Sequence, residues 1–416
     1  MIILMMSLKQ IRKVIILLIL ILLAGGGGYW LGRHQLEVSL KGYQPKITIN
    51  REVPVTKQDV DFSLFWKTWD SLEASYLDKK SLDSSKMVYG AISGMVASLG
   101  DPYTVFLPPS EQKQSKEDLS GAFDGVGIQL GYKDSKLAVI APLKGMPAEK
   151  VGVKAGDLIL RIRDEKKQID KEAVGVTLPE AVNLIRGEKG TSVFLTFGRE
   201  GVTEPFEVEL VRNTIVVKSV EIDFKEEVAH LRLLRFGERT YQEWGEAVLQ
   251  IEERRAKGEV KGVILDLRNN PGGFLQGAIF FTSEFLADGV VVKQEKSQNG
   301  GIESFSVNRK GQLVNIPLVV LVNKGSASAS EIVAGALQER NRAKIVGEQT
   351  FGKGTIQEAQ ELDGGAGLHV TIARWLLPSG KSIDKEGIKP DVEIKMDEND
   401  DTKDPQFEKA IELLVK

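Results

Sequence analysis

VKGVILDLRNNPGGFLQGAIFFTSEFL, residues 260–286, and VNIPLVVLVNKGSASASEIVAGALQERNRAK, residues 314–344, decide the fold of this chain. Each begins with an unbroken apolar run, 263–267 and 318–322, that reads as a strand buried on both faces. A loop of small residues follows, then a helix-spaced segment. That is the grammar of an α/β layer. Functional loops in such layers lie at the carboxyl ends of the strands. If the two strands are parallel, Gly272-Gly273 and the loop 325–330 stand at one end of the sheet.

The second loop carries Ser326, Ser328 and Ser330, and one of them is a candidate nucleophile. An oxyanion hole needs two unobstructed backbone N–H groups, which Gly272 or Gly273 and the amide after a reactive serine would supply. The helix bearing Ile332, Val333, Ala336 and Leu337 on one face also points its positive end at that place. Serines at a helix start are more commonly caps than nucleophiles, so the loop alone does not decide the chemistry.

The proton acceptor has to be found elsewhere. The chain holds only His34, His230 and His369. The last two lie in alternating apolar and polar stretches that read as half-buried strands, which argues against a Ser-His-Asp triad. With no cysteine and no histidine pair at ligand spacing, thiol catalysis is excluded and a metal centre is not indicated. Lys353 is the other candidate. It lies between Gly352 and Gly354 in a stretch, 350–356, with no other charge. Burial lowers a lysine pKa, and a lysine tuned toward neutral can act as a general base. A loop lysine reaching water is the plain alternative.

A chain of 416 residues with 42% hydrophobic content has room for two or three domains with real cores. Net charge is −3, and no basic block resembles a phosphate-tracking stripe, so nucleic acid is not an expected partner. Lys9, Arg12 and Lys13 precede the charge-free residues 14–32, long enough to cross a bilayer with the positive flank inside and the rest exported. Small residues at Ala24-Gly25-Gly26 leave a cleaved signal open, whereas Tyr29, Trp30 and Leu31 favour an uncleaved anchor. The boundaries that follow are an anchor or signal segment at 1–35 and a polar stalk at 36–56.

DFSLFWKTWDSLEASYL, residues 61–77, places Phe62, Phe65, Trp66, Trp69, Leu72 and Tyr76 at helical spacing. A second amphipathic helix carries Met87, Ala91, Met95 and Leu99, with Gly100 at its end. These stripes read as the core of a small helical domain at 57–112. From 113 to 212 the pattern changes to short strands and turns. Gly125-Val126-Gly127-Ile128 entering a strand, followed by PAEKVGVKAGDLILRI at 147–162, resembles a PDZ domain. Glycines there let backbone N–H groups converge on a terminal carboxylate, and the adjoining strand edge can pair with a peptide. Arg186, after a helix, could sense that carboxylate or simply be a solvated helix-end charge.

Five segments together carry a wider resemblance: GDPYTVFLPPSE (100–111), LDLRNNPGG (265–273), GSASASEIVAGALQE (325–339), GEQTFGKGTIQ (347–357) and ARWLLPSGKSIDKEGIKPDVEI (373–394). From about residue 60 to its end the chain is similar to the C-terminal processing, or tail-specific, proteases. The resemblance implies a mixed α/β multidomain fold with a helical domain, an inserted PDZ domain and, over 213–416, a serine protease core of the ClpP/crotonase-like type. It implies a Ser/Lys dyad of Ser328 and Lys353 supported by Gln357, an oxyanion hole from Ala329 and the glycine pair, and no cofactor. Protein substrates with free C-terminal tails are the implied partners, and self-association is left open. Lys353 and Gln357 would stand roughly 13 Å apart in a straight strand, so their pairing requires a bend, for which Gly354 is the candidate. A silent PDZ adaptor and a coenzyme-A-type enzyme are the rival readings, the latter disfavoured by the PDZ insertion and Lys353.

Overall fold

Residues 36–41, 44–49, 61–296, 301–396 and 403–415 are described by the computed structural model. The N-terminal apolar stretch 14–32, read as anchor or signal, lies outside them, and no helix among the described residues is long and apolar enough to cross a membrane. The chain forms two compact units, residues 1–87 and 88–416.

In the first unit, the stretch read as a stalk contains an antiparallel hairpin, β1 (Leu36–Lys41) with β2 (Gln44–Ile49). The aromatic stripe forms the helix its period demands, α1 (Ser63–Ser75), but buries none of its residues. Trp66 is 57% exposed and packs edge-on to Phe65 and at a tilt to Trp69. The expectation of a core stripe is therefore corrected here, because a 3.6-residue period fixes a helix without fixing what covers it. α2 (Ser84–Ala97) crosses the boundary at residue 87 and ends, within the second unit, just before Gly100, whose positive φ of 70° is the left-handed stop that a glycine provides.

In the second unit, β3 (Val105–Leu107) leads into α3 (Pro109–Ser120), which opens with proline in its first turn and closes on left-handed Gly121. β4 (Ala122–Gly125), β5 (Ile128–Lys133), β6 (Lys136–Pro142), the short α4 (Pro147–Lys150), β7 (Leu158–Asp164), β8 (Ile169–Glu172), α5 (Leu178–Ile185), β9 (Ser192–Gly198) and β10 (Phe206–Val211) follow. The sheet runs β10-β9-β7-β6-β5, with β8 beside β7. Period-2 burial is plain in β9, where Val193, Leu195 and Phe197 turn inward against Ala181 and Ile185 of α5. Arg212 and Asp164, both buried, close this region with an ion pair of 2.6 Å.

The core begins with β11 (Asn213–Val216), which pairs back to β4, then β12 (Val220–Lys225), β13 (Val228–Leu233) and α6 (Thr240–Ala256). Next come β14 (Gly262–Asp266), α7 (Leu275–Thr282), β15 (Val290–Lys296) and β16 (Ile302–Ser306). β17 (Leu318–Val322), α8 (Ala329–Glu339), β18 (Lys344–Gly347), β19 (Thr355–Glu361), β20 (Gly367–Leu376), β21 (Val392–Glu393) and α9 (Pro405–Val415) complete it. The main sheet is β12-β13-β14-β17-β18-β21, parallel from β13 onward. Every residue of β14 and β17 is buried, as the unbroken apolar runs require. Val263, Leu265, Leu318, Val320 and Val322 face the layer of α6, α7 and α8, while Ile264, Val319 and Leu321 face Ala410 and Ile411 of α9. Each such side chain contributes roughly 1.5–3 kcal/mol by leaving water. Parallel pairing of β14 with β17 brings both loops to one end of the sheet. A second sheet, β16-β15-β20-β19, has β3 joined to β20.

Candidate active site

Of the three loop serines, two are fully buried and committed to backbone. Ser326 Oγ donates to Leu267 O at 2.8 Å and Ser330 Oγ to Asn270 O at 2.9 Å, so both fasten the β17 loop to the β14 loop. Ser328 is the half-buried one. It immediately precedes α8 with φ 55° and ψ −114°, a conformation that non-glycine residues rarely hold without a surrounding structure that enforces it.

That structure is centred on Glu331. Its carboxylate has no exposed surface and accepts from Ser328 N (2.8 Å) and Lys353 N (3.0 Å) on one oxygen, and from Gly352 N (2.7 Å) and Thr350 Oγ1 (2.6 Å) on the other. Four donors satisfy a charge that would otherwise be costly to bury. One side chain thus fixes the main chain at Ser328 and at Lys353. The sequence reading gave Glu331 no role, although its place three residues after Ser328 is the capping-box spacing.

Lys353 is further held through its carbonyl, which accepts from Trp375 Nε1 at 2.8 Å, and its ammonium lies 4.9 Å over the ring of Tyr103. Burial pushes its pKa below the ordinary lysine value, and the attraction of Asp101 and Glu331 only partly opposes this. Ser328 and Lys353 line one cavity of about 550 Å³ together with Gly273, Ala329, Gln357 and His369. Among the described residues no hydrogen bond joins Lys353 Nζ to Ser328 or to Gln357. Gln357 instead donates to Thr355 Oγ1 (2.9 Å) and Thr371 Oγ1 (3.1 Å). The β19–β20 register shifts between Ile356 and Gln357, where β20 carries the extra residue Ile372.

The two glycines separate in role. Gly272 N donates to Asn270 Oδ1 at 2.9 Å and is spent, while a Cβ on Gly272 would meet Ser328 Cβ at 2.9 Å and Ala329 N at 3.0 Å. Gly272 therefore allows close approach, and Gly273 and Ala329 hold the amides without a protein partner among the described residues.

His369, on β20, shares the cavity, and burial with the nearby Lys353 charge holds its pKa below the ordinary histidine value. His230 lies elsewhere: its Nε2 is 3.0 Å from Asp266 Oδ2 and its ring packs on Phe407 of α9. Arg186 caps the end of α5 and is half-buried. It pairs with Glu117 of α3 at 3.0 Å and lies 4.1 Å over the Phe123 ring. In the loop 125–128, Val126 is a core side chain, Gly127 has a φ of 73°, and the N–H groups of Val126 and Gly127 meet no protein acceptor among the described residues. Their carbonyls accept from Ala148 and Leu143, which sets the loop against α4.

Comparison with known proteins places these features in context. Residues 227–394 match the model of peptidase family S41, and residues 22–110 match that of the activating protease CtpB N-terminal domain. The carboxy-terminal processing protease CtpA of Bacillus subtilis is 38% identical over 81% of this chain and 70% of its own length. The carboxy-terminal-processing protease of Bartonella bacilliformis is 37% identical over 86% of this chain and 80% of its own. Among solved structures, the photosystem II D1 C-terminal processing protease is 30% identical, covering 80% of this chain and 92% of that one, with a TM-score of 0.47.

Proposed function

Because the chain belongs to the carboxy-terminal processing serine proteases of peptidase family S41, we propose that Ser328 is its nucleophile and Lys353 the general base. The observation that carries this is Ser328, strained beside the start of α8, sharing one cavity with a lysine whose pKa burial has lowered. Lys353, in its neutral form, takes the Ser328 proton; the oxygen attacks the peptide carbonyl; and Gly273 and Ala329 N–H groups hold the oxyanion. Protonated Lys353 returns its proton to the leaving amine, and water then releases the acyl-enzyme. Gln357 braces the wall beside the base through Thr355 and Thr371.

The finer reading is an exported, membrane-tethered endopeptidase. Support comes from the basic flank and apolar run at the N-terminus. Residues 113–212 act as a PDZ module that takes a substrate's terminal carboxylate on the N–H groups of the loop 125–128, in keeping with the unpartnered amides there.

Kinetics on an unfolded protein substrate test the dyad. Ser328→Ala and Lys353→Ala should each lower kcat by at least about 10³-fold. His230→Ala and His369→Ala should retain the chemical step, and kcat/KM should still rise with pH in that double variant as Lys353 loses its proton. Activity in Lys353→Ala, or loss of the alkaline rise with the histidines, would remove the dyad.

A further inference from the structure

The turn 101–104, just ahead of β3, is fastened both within itself and to the second sheet. Asp101 accepts from Tyr103 N at 3.0 Å and from Thr104 Oγ1 at 2.7 Å, and Thr104 Oγ1 in turn accepts from Thr371 N of β20 at 3.0 Å. β3 then pairs with β20, Val105 standing opposite His369. Tyr103 is thereby held in place, half-buried, with its ring centre 4.9 Å from Lys353 Nζ.

Lys353 is fixed at its main chain on both sides, its N–H by Glu331 and its carbonyl by Trp375, so only the side chain is left to choose a direction. Among the described residues its ammonium meets no hydrogen-bond acceptor; the ring of Tyr103 is the group that faces it. The face of an aromatic ring is its negative side, and an ammonium gains most from it where water does not compete. A neutral amine gains no such attraction. The ring therefore favours the charged form of the base, against the burial that disfavours it.

We propose that Tyr103 is a positioning residue for the base: its ring face holds the Lys353 ammonium at the cavity wall and sets the pH at which the free amine forms. This rests on Lys353 being the general base. Losing the proton releases the amine to Ser328, and the ring again stabilises the ammonium that forms when Ser328 gives up its own proton. Other groups act on the same nitrogen. Asp101 and Glu331 attract it without pairing with it, His369 of β20 feels its charge, and Glu111 and Asp118 of α3 line the same cavity. Tyr103 itself lines a neighbouring cavity with Glu295 and Lys296 of β15, Arg374 of β20, and Asp384 and Lys385 beyond it. Burial, and then Asp384, Glu331 and Asp101, hold the phenol above its ordinary pKa, so the ring is uncharged at neutral pH. None of these groups changes when the ring alone is altered.

The pH profile of kcat/KM on the unfolded protein substrate, measured on the full chain, tests the ring. Tyr103→Phe keeps the aromatic face and serves as the reference. Three fluorines on that phenylalanine withdraw the negative charge of the face at nearly constant size, and Tyr103→Leu removes the face altogether. The midpoint of the alkaline rise should hold in Tyr103→Phe and move to lower pH by about 0.5–1 in Tyr103→Leu, because a base that loses a stabiliser of its charged form gives up its proton sooner. Fluorination should move it in the same direction with the fold kept. Below the midpoint, activity as a fraction of its plateau should then rise about three- to tenfold in Tyr103→Leu. A midpoint unmoved by fluorination, or displaced as far in Tyr103→Phe as in Tyr103→Leu, overturns the role. So does a loss confined to the plateau, which a merely structural ring would give. Activity that survives in Lys353→Ala would instead remove the base itself, so the two failures are distinguishable.

Discussion

Glu331 and Asp266 are both buried carboxylates beside the two loops, yet their partners differ in kind. Glu331 is met by three backbone amides and one hydroxyl. Asp266, at the end of β14, is met chiefly by side chains, the guanidinium of Arg268 at 2.7 Å and His230, with one backbone amide, Arg268 N, at 3.0 Å. Arg268 continues to Asp404 at 2.9 Å and to Gln406, in the segment that leads into and begins α9. A carboxylate held by amides fixes the main chain at the nucleophile and at the base. One held by a guanidinium and an imidazole cross-links the sheet to a covering helix. Burial alone therefore does not tell position from cross-link; the donors do.

The comparison can be broken most severely at Glu331. Glu331→Gln leaves one acceptor oxygen for four donors and turns an amide toward two of them. Each buried group so orphaned costs about 1–3 kcal/mol, and a misplaced dyad loses about 10²-fold in kcat. Near-normal kcat in the folded variant would show that the carboxylate only caps α8. Asp266 should answer in stability instead. Burial acts to raise its pKa, but the hydrogen bonds from His230 and Arg268 prevail and hold it at about 2, against an ordinary 3.8. A carboxyl depressed in the folded state stabilises above its unfolded pKa. That contribution, roughly 2 kcal/mol, should vanish as pH falls from about 4 to 2. Asp266→Asn should remove this acid limb from denaturant titrations and cost about 3 kcal/mol at neutral pH, leaving Arg268 short of a partner. A variant with an unaltered acid limb would refute the cross-link.

Glu117 extends the series to a pair with Arg186 in which both side chains keep contact with water. Glu117→Gln should change stability by less than about 1 kcal/mol. It should also lower the concentration of a free-tail peptide needed to stimulate cleavage, because Arg186 is released. If amidated and free-acid tails act alike, residues 113–212 do not read a terminal carboxylate.

Sequence alone determined the α/β core and the candidate residues. Unbroken apolar runs can be satisfied only by strands covered on both faces, and Gly272, Gly273, Ser328 and Lys353 stand in loops whose chemistry is local. The aromatic stripe at 61–77 determined a helix, because periodicity is a property of neighbours in the chain. Tertiary structure decided the rest. Which serine stays uncommitted depends on carbonyls at Leu267 and Asn270, about 60 residues away. Which glycine amide is free depends on Asn270, and what holds Lys353 depends on Glu331 and Trp375. Whether the stripe is covered depends on packing that no period records. Hydrogen bonds between distant segments form only once the sheet has brought their strand ends together, and no spacing along the chain encodes that meeting.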